Sequence, residues 1–317
     1  MVELSKVKKF IFLSIITLVT IYSVFFLKVE ITQYRIFQQL WNFGHIILFV
    51  GISYFFYSQF INKLKLPIFI EFLLVICCAF IIGYGFEVIQ TFTGRDKSNY
   101  DVLLDTIGSM IAFLLFSHRW LASRAPIKHG FVLLISISTL IALYPMYENI
   151  ADSISQKKEF PVLLSNSNNN ERTRFNNYNV DIELVEDEIN SESNKLLKAY
   201  FKKAKYPTLN LKQINSNWSG FKYFSVSIFN PSKSKSSIIL RIHDKNHKQS
   251  GFQFNDRFNY RLNLVAGWNK IRINLSKIKN SPFGRKMDME NINGLMFFMI
   301  NISESKILYF DKIELIK

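Results

Sequence analysis

Glu87, Gln90, Arg95, Ser98, Asp101 and Asp105 form a tight run of polar residues between long apolar stretches, and His45 stands inside an earlier apolar stretch. Glu87 and Gln90 are i, i+3 neighbours on a helix. Asp101, Asp105 and Gly108 recur at i, i+4, i+7, which puts them on one helical stripe. An ionisable group inside a membrane span costs about 2.5–3.5 kcal/mol, so each one asks for a reason. Arg95 is the natural counter-charge, because one guanidinium bridges two carboxylates. Gly108 lets a second helix come close to the stripe. Two readings follow. In one, the residues are a hydrogen-bonded clamp that pins three helices together. In the other, they line a polar pocket that binds or processes a polar group. Glu87 or Asp101 would then serve as general base, His45 as acid or base, and Arg95 as an anion clamp. A proton relay through His45, Glu87 and Asp105 is a third reading. The lack of an evident repeat argues against it.

The elements that must position these residues are membrane helices. Five segments approach the ~20 apolar residues that cross a bilayer. They are Phe10–Leu27, Trp41–Ile61, Pro67–Phe86, Val102–Phe116 and Phe131–Tyr147. The first follows Lys6, Lys8 and Lys9 but is followed by no small-residue cleavage site, so it reads as an uncleaved helix. Basic residues in the short flanks set the orientation. Lys6, Lys8 and Lys9, then Lys63 and Lys65, then Arg119, Arg124 and Lys128 alternate on one side, which places the amino terminus in the cytoplasm. Five spans then leave residues 151–317 outside the cytoplasm, and the polar cluster lies at that same outer face. Glu71 and Glu148 read as plain interfacial residues. Cys77 and Cys78 are adjacent on one helix, cannot easily bridge each other, and read as buried packing thiols.

At this polar run the sequence resembles the VanZ-like membrane family. The matching residues are Glu87-x-x-Gln90, Arg95-x-x-Ser98-x-x-Asp101 and Gly108, with His45 on an earlier span. The family's Asn stands as Asp105 here, and Trp41-Asn42 replaces the Asp-Lys often found before the histidine. The resemblance covers roughly residues 5–148. It implies a small multi-helix membrane fold and a cell-envelope context, with a role in envelope maintenance or in the glycopeptide resistance for which the family is named. It implies no reaction.

Residues 151–317 read as a soluble domain, so the chain divides near residue 150. Residues 151–177 are rich in Ser and Asn and read as a linker with a first strand region, ahead of a sandwich over 178–317. Strand patterns occur at Val180–Val185, Tyr223–Phe229, Ser237–His243, Tyr260–Val265, Lys270–Leu275, Leu295–Ile300 and Lys306–Leu315. One helix is expected near Ser191–Lys203. The expected fold class is therefore an α-helical membrane bundle of about five helices followed by an all-β, jelly-roll-like sandwich.

This half resembles carbohydrate-binding-module-like, galactose-binding-like sandwiches. The residues that carry the likeness are Asn217-Trp218, Phe229-Asn230-Pro231, Arg241-Ile-His243-Asp244, Asp256-Arg257-Phe258-Asn259, Gly267-Trp268-Asn269 and Leu308-Tyr-Phe-Asp311. Sugar rings stack on exposed aromatic faces, and their hydroxyls bond to planar polar groups. Trp218, His243, Asp244, Asp256, Arg257 and Trp268 are the candidates. The alternative is that both tryptophans are core and Asp244 is a turn residue. A structural calcium ion fits the carboxylates and carbonyls of such a domain, although no loop has a diagnostic ligand spacing.

The net charge is +15, and residues 151–317 carry 27 Lys+Arg against 16 Asp+Glu. The basic residues are scattered and form no stripe, which argues against nucleic acid as a partner. An anionic envelope polymer or lipid headgroup is a more natural one. Nucleotide loops, zinc signatures and nucleophile elbows are absent. The leading expectation is a non-enzymatic protein of the cell membrane whose exported domain binds glycan. The alternative is a membrane enzyme acting at the outer leaflet on a lipid-linked saccharide or peptidoglycan. The expected partners are the lipid bilayer and an envelope glycan or lipid-linked saccharide.

Overall fold

The structure, a computed structural model, describes residues 35–92, 97–187 and 195–317. The first expected span, Phe10–Leu27, and Arg95 lie outside the described residues. The chain divides into two compact units, Met1–Tyr147 and Glu148–Lys317.

The first unit is helical. Helix α1 spans Arg35–Gln59, α2 Ile68–Thr91, α3 Asn99–Phe116, the short α4 His118–Ala122, and α5 Ala125–Glu159. Among the described residues, four helical segments suffice by length and composition to cross a membrane: Trp41–Lys63, Ile68–Thr91, Asn99–Phe116 and Ala125–Glu159. Pro67 precedes α2 because a proline lacking an N–H fits best where a helix begins. Ser98 caps α3 by accepting the Asp101 backbone N–H at 3.2 Å. The three rings of Phe72 on α2, Phe113 on α3 and Phe131 on α5 meet with centroids 4.9–5.0 Å apart. Gly108 lets α1 and α3 touch backbone to backbone, since a Cβ there would stand 2.5 Å from the Ile46 carbonyl oxygen. Helix α2 leaves Phe69, Leu73, Phe80, Ile81 and Ile89 uncovered.

Two expectations change here. Cys77 and Cys78 are exposed on the apolar surface of α2 and are not buried packing thiols. Glu71, expected as an interfacial residue, is fully buried and accepts a 2.6 Å hydrogen bond from Arg119 Nη1. An isolated carboxylate cannot sit in an apolar bundle, so it takes a partner from a distant helix.

The second unit begins within α5, at Glu148, and is a sandwich of two antiparallel sheets. The six-stranded sheet runs β2 (Val180–Glu186), β3 (Lys195–Phe201), β10 (Lys306–Ile316), β5 (Tyr223–Asn230), β8 (Gly267–Asn274), with β1 (Val162–Leu164) also paired to β10. The four-stranded sheet runs β4 (Thr208–Leu211), β9 (Ile292–Phe298), β6 (Ser236–Asp244), β7 (Phe258–Leu264). Strict alternation makes the core. Phe224, Val226 and Ile228 from β5 meet Ile238, Leu240 and Ile242 from β6 in one buried cluster. In β10 a register shift between Phe310 and Ile313 changes the alternation, so Leu308, Phe310, Ile313 and Leu315 all turn inward.

The helix expected near Ser191–Lys203 is corrected to strand β3 over its described part. Lys, Leu and Ala favour helix locally, but this segment pairs with β2 on one side and β10 on the other, and tertiary pairing wins. Residues 151–177 are not a bare linker. They hold the end of α5, strand β1 and a 3-10 turn over Asn169–Arg174. Arg174, with no exposed surface, sits among Asp152, Glu159 and Glu171, and its Nη2 lies 2.8 Å from Asp152.

Candidate functional site

The register of the four-stranded sheet sets out its outer face in rows. Core residues take the even positions of β6, so Ile239, Arg241 and His243 point away from the core. Thr208, Phe298, Ile239 and Arg261 stand side by side across β4, β9, β6 and β7. Asn210, Met296, Arg241 and Asn259 form the next row, and His243 opposite Gly294 begins the third. Gly294 is required there. A Cβ at this position would collide with the His243 ring, so the glycine lets the imidazole lie flat on the sheet.

These rows floor a groove of about 490 Å³. Its floor is apolar at Ile239, Met296 and Phe298, and Arg241, Arg257, Asn259 and Arg261 contribute polar groups. Two aromatic rings stand at its sides, Tyr206, 47% exposed, and Phe254, 66% exposed. The Arg257 guanidinium lies 5.1 Å over the Phe254 ring, which holds both planar groups in place.

Five buried polar atoms on this face find no hydrogen-bond partner in the protein: Asn210 Oδ1, Arg241 Nε, His243 Nδ1, Arg257 Nε and Asn259 Oδ1. A buried polar atom left unmatched costs about 1–3 kcal/mol. Native proteins keep few of them, and each calls for a partner such as water, an ion or a ligand.

Behind the groove the polar groups are fully engaged. Arg241 Nη2 donates to His247 Nε2 at 3.1 Å, and His247 Nδ1 lies 3.2 Å from Asp256. A guanidinium only donates, so His247 carries its proton on Nδ1 and passes the bond on to Asp256. Arg285 then joins Asp256 to Asp244, with a bidentate pair to Asp244 at 2.6 and 2.9 Å. Burial, then the neighbouring charge of Arg241, pushes the His243 imidazole down to about 3, so it is neutral at neutral pH. Burial lowers Arg241 to about 10, and Arg257 adds to the effect. The hydrogen bond from Arg285 holds the Asp256 carboxyl far below the usual carboxylate range.

The residues singled out in the sequence divide by this geometry. Arg257 lines the groove, and His243 lies on the same sheet face one row beyond it. Asp244 and Asp256 are buried behind it and committed to Arg285. Trp218 is corrected from ligand contact to core: it has no exposed surface, stacks 5.9 Å from Phe224, and donates its indole N–H to the Asn215 carbonyl. Trp268 belongs to β8 of the other sheet, packed beside Phe229 at 5.3 Å. Tyr206, Phe254, Arg241 and Arg261 went unnoticed in the sequence as site residues. Alternation in β6 was the available signal for Arg241. Among the described residues, no group of three or more His, Cys, Asp or Glu is placed to hold a metal ion.

In the helical unit the structure brings part of the polar run together. His45 Nδ1 lies 2.9 Å from Asp105 Oδ1, and His45 Nε2 lies 3.8 Å from Asp101 Oδ2. Glu87 Oε2 accepts the Ser98 backbone N–H at 2.6 Å. His45, Glu87, Gln90, Asp101 and Asp105 are all buried. Gly83, one turn before Glu87, was not noticed in the sequence. A Cβ there would meet Asp105 Oδ2 at 2.6 Å, so the glycine makes room for the carboxylate against α2.

No protein-family model matches the chain, and no curated protein matches it. Solved structures do. A family 11 carbohydrate-binding module from Clostridium thermocellum, in complex with a β-1,3-1,4-mixed-linked tetrasaccharide, is 17% identical. It covers 49% of this chain and 94% of its own, at a TM-score of 0.38. An exo-β-agarase is 15% identical over 49% of this chain and 24% of its own, with a TM-score of 0.40. A family 28 module specific for non-crystalline cellulose is 13% identical over 46% of this chain and 88% of its own, with a TM-score of 0.32.

Proposed function

We propose that this protein is a VanZ-like, membrane-anchored glycan-binding protein of the cell envelope, with its sandwich outside the cytoplasm. The polysaccharide lies in the groove on the outer face of the four-stranded sheet. One observation carries the reading: the partnerless buried atoms Arg241 Nε, Arg257 Nε and Asn259 Oδ1 line a groove flanked by two exposed aromatic rings. Sugar hydroxyls both donate and accept, so a glycan suits a mixture of amide oxygens, guanidinium nitrogens and a neutral imidazole. Tyr206 and Phe254 offer faces for the sugar rings.

The test is affinity electrophoresis of the full-length protein in detergent through gels containing soluble envelope polysaccharides. Phe254→Ala and Tyr206→Ala are each expected to weaken retardation by about 2- to 12-fold, the worth of one aromatic contact of 0.5–1.5 kcal/mol. Equal mobility of the wild type with and without every polysaccharide removes the reading.

A second reading rests on the His45–Asp105 pair. A buried imidazole held by one carboxylate, with a second 3.8 Å away, is a geometry suited to proton transfer on a lipid-linked saccharide or peptidoglycan. His45→Ala and Asp105→Asn proteins that fold, bind glycan normally and lose an envelope phenotype would favour this enzyme.

A further inference from the structure

The groove has a sign. Beyond Arg261 it continues into a second cavity of about 340 Å³ that shares Ile239, Phe298 and Ile300 with the first and adds Lys235 and Lys306. The linings of the two cavities hold five basic side chains, Lys235, Arg241, Arg257, Arg261 and Lys306, and no Asp or Glu. Among the described residues, none of the five has a carboxylate within ion-pair distance. Asp244 and Asp256, the carboxylates nearest Arg241 and Arg257 in sequence, are taken by Arg285. Elsewhere on the sandwich, surface lysines do find carboxylates, as Lys198 does with Glu183 and Lys202 with Asp181.

Resting on the glycan reading, we propose that the ligand is an acidic polysaccharide, one carrying carboxylate or phosphodiester oxyanions along its length. Arg241 is half-buried with a partnerless Nε, and Arg257 and Arg261 stand on either side of Asn259 in the chain, so a strand crossing the groove meets guanidinium groups in succession. Residues two apart on one face of a strand are separated by about 7 Å. Arg241 loses hydration by burial and faces the like charge of Arg257, and an incoming oxyanion relieves both. Other polyanions fit less well. A flat bilayer surface does not reach a guanidinium at the floor of a groove. Single-stranded nucleic acid stacks base after base on a row of aromatic platforms, whereas the exposed rings that line this groove are two, Tyr206 and Phe254.

The experiment is isothermal titration of the full-length protein in detergent at low salt. The probes are polygalacturonate, its fully methyl-esterified form, a glycerol-phosphate polymer, a neutral mixed-linked β-glucan, oligo-dT and phosphatidylglycerol vesicles. The acid form is expected to bind at least about tenfold more tightly than the ester, and the gap is expected to close in 0.5 M NaCl. Arg241→Gln and the solvent-exposed Arg261→Gln are each expected to lower polygalacturonate affinity about 3- to 10-fold and ester affinity by less, so that the gap between acid and ester narrows. A thermal melt checks folding, and Lys306→Gln repeats the test where Arg241→Gln fails to fold. Preference for the glycerol-phosphate polymer over polygalacturonate, with the same arginine dependence, assigns the oxyanion to phosphate and supports the proposal. Equal affinity for acid and ester overturns it and leaves the glycan reading standing. No binding to any polysaccharide by a folded protein sinks both. Tighter binding to oligo-dT or vesicles, insensitive to Arg241→Gln, also overturns it.

Discussion

His243 shows how much one position depends on a neighbour across a strand pair. Its ring is 7% exposed and lies where any side chain at residue 294 would be. Gly294→Ala must therefore lift the ring or shift β6, at an expected cost of about 1–3 kcal/mol in urea unfolding. The same burial gives a pH dependence. The unfolded chain binds a proton at this residue near 6.5, whereas the folded one does so only near 3. Stability is thus complete above pH 6.5. It falls on acidification through that window by up to about 1.4 kcal/mol per pH unit. His247, also lowered chiefly by burial, acts in the same direction. Asp244 and Asp256 are held low by their partners, so they add loss only below the ordinary carboxylate value of 3.8. His243→Gln is expected to flatten the profile between pH 6 and 4, measured by urea unfolding at each pH. An unchanged slope would show that this imidazole does not titrate with folding.

At the scale of elements, the strongest tie between α5 and the sandwich strands that follow it is Arg174. Its Nε donates to both Asp152 oxygens at 3.0 Å, and Nη1 donates to the Leu163 carbonyl at 2.9 Å. Arg174→Met leaves the Asp152 and Glu171 carboxylates buried without their cation. It is expected to cost about 3–5 kcal/mol in urea unfolding, with part recovered by adding Asp152→Leu. Neither partner was readable in the sequence, because a buried ion pair across 22 positions leaves no periodic trace. Strand β3 was misread for a related reason: its residues favour helix, and only β2 and β10 make it a strand. By contrast β2, β5, β6, β7, β8, β9 and β10 were legible, since alternation is written in the residues themselves. The polar run of the helices was legible as a stripe for the same reason. Gly83, which only makes room for Asp105, was not.

For the whole molecule, the helical unit presents apolar side chains around α2 and α5, such as Phe80, Ile81, Leu140 and Ile141, on helices long and apolar enough to cross a membrane. The proposed placement of the sandwich outside the cytoplasm is checked by labelling. A cysteine replacing exposed Ser232, in a Cys77→Ser, Cys78→Ser background, is expected to react with an impermeant maleimide on intact cells. Protection until the cells are lysed would put the groove on the wrong side for an envelope polymer.

Strand β10 lies in the interior of the six-stranded sheet, hydrogen-bonded to both β3 and β5, yet it is made of residues 306–316. A nascent chain that has reached residue 300 therefore holds two sheet fragments with a gap where their shared strand belongs. Helices close over local contacts, but this sheet waits for its most distant pairing. During synthesis the six-stranded sheet accordingly stays open until β10 emerges, a state that would suit the export proposed for this domain.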